Sequence, residues 1–176
     1  MTNTLITTLW LTLTLFLAYC WKVYGEQPYV SKFYYNLKND EEDKNGKEIK
    51  EGKQWMFFLF LAGLGIPIIF ITGKPLYIIA ACCLMFVGAW PSYREEPFKI
   101  AHPIAAYGAG IFVLLALYFD PLYIEKIGDG WLRRLPLVSF FTISGTILLL
   151  KKYTIERIET AIFYIAVIFI TILYFE

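Results

Sequence analysis

The chain has 176 residues, of which 58% are hydrophobic, well above the roughly half-apolar composition of soluble domains. Its 16 Lys and Arg are balanced by 15 Asp and Glu, which excludes the strong positive field that draws proteins to nucleic acid. The charges sit in short blocks between apolar runs, the pattern expected where helices cross a bilayer that offers no partner to a charge or a bare peptide group.

Crossing a hydrocarbon core of about 30 Å takes roughly 20 helical residues. Runs suited to this lie near 5–21, 55–72, 76–90, 103–119, 135–150 and 155–175. The expectation is an all-α polytopic integral membrane helical bundle of about six transmembrane helices, forming one domain over 1–176.

No Lys or Arg precedes the first run, so it lacks the charged start of a signal peptide. Bulky Tyr19 stands before Cys20 where a lipoprotein site needs a small residue, and the run is expected to be a retained helix. Thr4, Thr8 and Thr12 then share one face, free to bond backbone carbonyls or a neighbouring helix. Cys20, Cys82 and Cys83 read as small apolar filler.

The long connector 26–54 has two halves. After Pro28, the residues Tyr29, Val30, Phe33, Tyr34 and Leu37 recur at helical spacing, with Lys32 and Lys38 on the other side. Segment 28–37 is therefore expected to be an amphipathic helix in the headgroup region. Asn39 to Lys53 carries mixed charge and almost nothing to bury, which predicts a solvated loop. A calcium loop beginning at Glu41 fails, because its twelfth position is Gly52 instead of a bidentate acid.

The second run holds Gly63, Gly65 and Pro67. Pro67 cannot donate to the carbonyl of Gly63, so a kink is expected. A helix break that binds an ion, in a small channel or transporter, is the functional alternative. The next run follows the Gly73-Lys74-Pro75 turn. In the fourth, Ala101, Ala105 and Ala109 recur every fourth residue, as do Ala106 and Gly110, and such rows let helices approach closely in lipid. This helix is expected at the centre of the bundle. Asp120 and Pro121 stop it, and a connector runs on to Arg134.

Connectors after the first, third and fifth runs carry seven, two and three Lys or Arg, against four on the other side. The long loop is then cytoplasmic and both termini face outward. On this reading Glu95, Glu96, His102, Glu156, Arg157 and Glu159 all lie at cytoplasmic helix ends, beside 31–35.

His102 is the only histidine and precedes Pro103 at the expected start of a membrane helix. With Glu95, Glu96 or Glu159 it could transfer protons, sense pH or act on a lipid; the alternative is a structural histidine that fixes the helix start. Ser31, Tyr34, Tyr35 and Arg94 are ligand-binding candidates on the same side. Without a second histidine no metal site is expected, and no cofactor either. Glu156 and Glu159, with Thr154 as cap, suit the positive end of the last helix. No lysine lies inside a run to form a retinal Schiff base, no arginine ladder marks a voltage sensor, and no His-Glu-x-x-His pattern occurs.

Three landmarks together carry a resemblance: Pro28-Tyr-Val-Ser-Lys-Phe-Tyr-Tyr35 after the first run, Val87-Gly-Ala-Trp-Pro91 at the end of the third, and His102-Pro-Ile-Ala-Ala106 at the start of the fourth. They resemble small six-helix membrane proteins of bacteria and their phages. More distantly the chain is similar to the DRAM/Sfk-type group, which also shows a histidine near a helix start followed by small residues. The resemblance implies a six-helix fold and no particular reaction. The expected role is non-enzymatic: a membrane protein that binds lipid or a partner, structural or regulatory, in a bacterial cytoplasmic membrane. A channel or transporter, and a lipid-directed enzyme built on His102 and nearby carboxylates, are the alternatives. Expected partners are membrane lipids, with a membrane-protein partner or a second copy of the chain as the protein-level options.

Overall fold

The computed structural model describes residues 1–28, 30–39, 53, 55–89, 98–127, 134–149 and 155–175. Among them are eight helices and no strand: α1 (Thr2–Tyr24), α2 (Lys32–Asn39), α3 (Trp55–Thr72), α4 (Pro75–Ala89), α5 (Phe98–Phe119), α6 (Pro121–Ile127), α7 (Leu135–Leu149) and α8 (Ile155–Tyr174). The protein is an all-α membrane bundle. Spans within α1, α3, α5 and α8 are long and apolar enough to cross a bilayer. The apolar helices α4 and α7 have 15 residues each. At 1.5 Å per residue such a helix covers about 22 Å, short of a full core.

Local chemistry sets the helix ends. Gly25 (φ 70°) and Gly73 (φ 59°) take the positive φ that glycine allows where α1 and α3 end, donating their N–H groups to the Trp21 and Ile69 carbonyls. Pro75 and Pro121 then open α4 and α6 at the first position, where a missing N–H costs nothing.

Helix α1 packs on α3 and α8, α3 on α4, α4 on α5, and α5 on α8, so five helices close a ring. Helix α7 lies against α5 and α8 outside it. The small-residue rows sit at these contacts. Ala109 is buried, while Gly108 faces the Cys83 sulfur and Gly110 faces Ile162. Between α1 and α8, the Trp10 indole N–H donates to Thr171 Oγ1 at 2.9 Å, and that hydroxyl donates to the Val167 carbonyl. Thr8 donates to the Thr4 carbonyl, as its place on α1 allows.

Three expectations change. First, α5 begins at Phe98, so His102 and Pro103 lie inside its second turn instead of at its start. Pro103 removes a bond only to the carbonyl of Lys99, at the end of the helix where such bonds are weakest. Second, the stretch after Asp120 is helix α6 and not a plain connector. The Asp120 carboxylate accepts the Leu122 N–H at 2.9 Å and its carbonyl accepts from Tyr123, so the residue that ends α5 also caps α6. Third, the amphipathic segment docks on the bundle. Val30, Phe33 and Leu37 are buried, and the Phe33 ring meets Phe16 edge-on at 6.4 Å. Protein aromatics on α1 and α3 cover the apolar stripe that lipid was expected to cover. The broken-helix alternative at Gly63–Pro67 finds no unwound segment, since α3 is helical through Pro67.

Candidate functional site

Inside the ring lies a cavity of about 250 Å³. Its walls come from α3, α4, α5 and α8, with Phe140 from α7 and the turn before α2 at one end. Small residues create the space: Ala80 and Ala81 on α4, and Ala106, Ala109 and Gly110 on α5, point toward volume that larger side chains would fill. From Phe57 to Ile68 the lining of α3 runs for three turns, about 16 Å at 1.5 Å per residue.

The lining is mostly apolar; its polar members are Ser31, His102, Tyr107 and Glu159. His102 is 4% exposed, carried inward by the second turn of α5. Glu159 reaches from the early turns of α8 and accepts the Val30 N–H at 2.6 Å. That bond satisfies a backbone donor at the entry to α2 and fixes the carboxylate at the cavity end. Ser31 follows directly.

The cavity also reaches the outer surface. Tyr107 is 67% and Ile111 57% exposed, on the same outward stripe of α5 as Ile100 and Ile104, yet both line the cavity. Opposite them stand Phe140 of α7 and Ile162 of α8. The cavity therefore has an opening on the exposed side of α5.

Of the residues expected to form a site, Ser31, His102 and Glu159 share this cavity. Tyr34 does not line it; its ring packs against Phe57 at 6.2 Å. Arg94, Glu95 and Glu96 lie outside the described residues, and so does the side chain of Tyr35. Gly63 and Gly65 are packing positions. A Cβ on Gly63 would come within 2.9 Å of Thr12 Cγ2, and one on Gly65 within 2.9 Å of Met85 Cγ and 3.2 Å of the Ala81 carbonyl. Among the described residues no three His, Cys, Asp or Glu side chains gather where a metal ion could sit.

At the opposite end of the bundle is a cluster that the residue pattern did not single out. Asp120 is 1% exposed, and its carboxylate accepts from Lys74 Nζ at 2.5 Å, Tyr174 OH at 2.8 Å, Leu122 N–H at 2.9 Å and Tyr77 OH at 3.0 Å. Burial would push this carboxyl up, but the four hydrogen bonds outweigh it and hold it below the usual carboxylate range. The Lys74 ammonium also lies over the Tyr174 ring, 5.3 Å from its centre. Every acceptor direction is used, so the cluster is a fastening of α4, the α5–α6 corner and α8, and it presents nothing to a ligand. Lys126 adds a bond to the Leu173 carbonyl at the end of α8. A lone acid at the end of an apolar run is the signal that could have flagged Asp120. Its partners Tyr77 and Tyr174 are visible only in the fold.

At the cavity end, Arg157 on α8 pairs with Glu26 beyond α1; both are well exposed, so the pair contributes little.

No protein-family model, no curated protein and no solved structure matches the chain. The resemblance to small six-helix bacterial and phage proteins therefore stands on its three landmarks alone.

Proposed function

We propose that this protein binds a lipid within the bundle and acts as a non-enzymatic structural or regulatory membrane component. The observation that carries the reading is the cavity of about 250 Å³, open at the exposed face of α5 and lined almost wholly by apolar side chains. Packed interiors have few voids larger than a water molecule. At about 24 cal/mol per Å³, leaving this volume without apolar contacts would cost on the order of 6 kcal/mol. That is comparable to the whole stability of many folds. The lining is too apolar for water to recover such a cost, whereas an acyl chain would recover it. An apolar void of about 150 Å³ already suffices to bind benzene. Binding is favoured over catalysis because the Glu159 carboxylate is held by the Val30 N–H in the fold itself.

The proposed setting is a bacterial cytoplasmic membrane with both termini outside. Its support is the excess of Lys and Arg in the connectors on the 26–54 side, twelve against four. Lys47→Cys should then be labelled by a membrane-impermeant reagent only after the membrane is opened. Labelling in intact, sealed cells would reverse the orientation.

The cavity reading is tested with Ala106→Phe, which places a ring in the open volume. Protein purified in mild detergent should retain lipid detectable by native mass spectrometry, and the variant should lose most of it. In delipidated protein the same substitution should keep or raise the melting temperature, since it fills space instead of overpacking. Lipid added to the parent at 100 times its Kd should stabilise by about 2.7 kcal/mol, and the variant should show no such gain. A parent that carries no lipid and is not stabilised by any would end the reading.

A further inference from the structure

The volume of the cavity and the height of its opening limit which part of a lipid fits, an inference that rests on the lipid-binding reading above. We propose that the occupant is the tail end of one long lipid chain, about ten carbons of it. The head of that lipid stays at the membrane surface and is not read by the protein.

Volume sets the amount of chain. A void of about 150 Å³ holds one benzene ring, which allots about 25 Å³ to each carbon. At that ratio a cavity of about 250 Å³ takes about ten carbons. Sites for drug-sized ligands begin at about 300 Å³, so neither a second chain nor a head fits beside the first.

Height sets which end of the lipid enters. Tyr107 and Ile111, the exposed residues that line the cavity, are the tenth and fourteenth of the 22 residues of α5. The apolar span of this helix is Ile100–Phe119, so the opening lies at its middle. In a hydrocarbon core of about 30 Å that level is about 15 Å from either headgroup region. A charged or zwitterionic head there would exchange its hydration for apolar surroundings, at a prohibitive cost. A chain end at the same level moves from one apolar environment to another and gains the contacts that an empty volume lacks. From the opening the cavity extends to Ile68 on α3 and Ala80 on α4, both buried and apolar. Only a long chain reaches that far while its head remains in water.

The test uses the full-length protein, delipidated and held in a sterol-based detergent that has no alkyl chain to compete. Affinities of n-alkanes, which have no head, are read from the rise in melting temperature with concentration. Each carbon should add about three-fold up to about ten carbons, and longer alkanes should add nothing further. Ala80→Leu brings about three more carbons into the far end and should move the break to about seven. Leu114→Ala takes about three carbons from the wall and should move it to about thirteen. The shifts are opposite, so a variant that fails to fold leaves the other to decide. Phospholipids should show the reverse dependence on length. After purification from mixed vesicles, phosphatidylcholine with chains of about eighteen carbons should be retained several-fold over the form with about twelve. Phosphatidylglycerol with the same long chains should match it within about three-fold. Alkane affinity that climbs well past about ten carbons would overturn the proposal, as would a break that neither variant moves. A preference of more than about ten-fold between the two heads would also overturn it, by assigning recognition to the head. Those results leave the cavity reading intact, because lipid still binds. Failure of alkanes and phospholipids alike, with Ala106→Phe indistinguishable from parent, would remove both.

Discussion

Asp120→Ala is expected to lower stability by about 4 kcal/mol, within the range for breaking a buried ion pair by removing one partner. Substitution strips the Lys74 ammonium of its counter-charge and leaves the Tyr77 and Tyr174 hydroxyls without their acceptor. It also removes the cap of α6, worth about 1 kcal/mol by itself. Lys74 is 31% exposed, so water can recover part of its solvation, which places the estimate in the middle of the range. Lys74→Met should cost less, because Asp120 keeps three donors. The double variant should cost less than the two single losses added, since both act on one network. The acid limb supplies a second readout. The Asp120 carboxyl is held below its ordinary value, so its contribution is complete above the unfolded pKa of about 3.9. It fades as pH falls through the lower folded value. Parent protein should therefore lose melting temperature on acidification below about pH 4 more steeply than Asp120→Asn, which has no charge there to lose. Melting curves against pH in one detergent decide the matter, and parallel acid limbs would remove the carboxylate from the stability account.

The cluster also bears on the site. It ties the N-terminus of α4, the corner after α5 and the C-terminus of α8, three helices that also line the cavity. Their far ends are fixed by charge. At the other end the Glu159 turn of α8 is tied to Val30, ahead of α2. An occupant that enters between α5 and α7 would meet a frame that is rigid at its base.

What could be read beforehand divides along physical lines. Apolar runs bounded by Gly, Pro and charge are local features, and 55–72 coincides with α3 as observed. Alternation of the connectors places Ser31, His102 and Glu159 at one end of the bundle, because each crossing reverses direction. Any single polar pocket is then expected at that end, but the apolar volume beneath it was not legible. The space arises where Ala80, Ala81, Ala106 and Gly110 converge from two helices, and the small-residue rows on α5 were read only as contacts. Asp120 illustrates the opposite failure. Asp-Pro reads as a stop signal, which it is, but the same carboxylate draws together Lys74, Tyr77 and Tyr174 from 43 to 54 positions away. Pro103 suggests a helix start, but α5 begins five residues earlier at Phe98 and continues through Pro103 without the bond its N–H would make to Lys99.

The Gly63–Pro67 stretch allows the sharpest separation of packing from a transport hinge. Gly65→Leu should destabilise by about 3 kcal/mol, the upper end of ordinary overpacking. The added carbon meets Met85, which can flex, and the Ala81 backbone carbonyl at 3.2 Å, which cannot move without shifting α4. At Gly63 the sign itself is at stake. Alanine is favoured over glycine inside a helix by about 0.8–1 kcal/mol, so an unhindered Gly63→Ala would stabilise α3. Here the new methyl would lie 2.9 Å from Thr12 Cγ2 and 3.2 Å from Thr12 Oγ1. Threonine is stiff at χ1, so it cannot swing clear, and Gly63→Ala is expected to cost about 1 kcal/mol net. Thr12→Ala removes both offending atoms and leaves a Cβ at an ordinary 3.7 Å. In that background the same Gly63→Ala should become stabilising by roughly 0.5–1 kcal/mol. A hinge needed for ion passage would behave otherwise. Its glycine would serve backbone motion, so Gly63→Ala would abolish flux in liposomes whatever occupied position 12, with no reversal of sign in the melting temperature. Observation of the reversal assigns Gly63 to the α1–α3 seam, and its absence would return the stretch to the transporter reading.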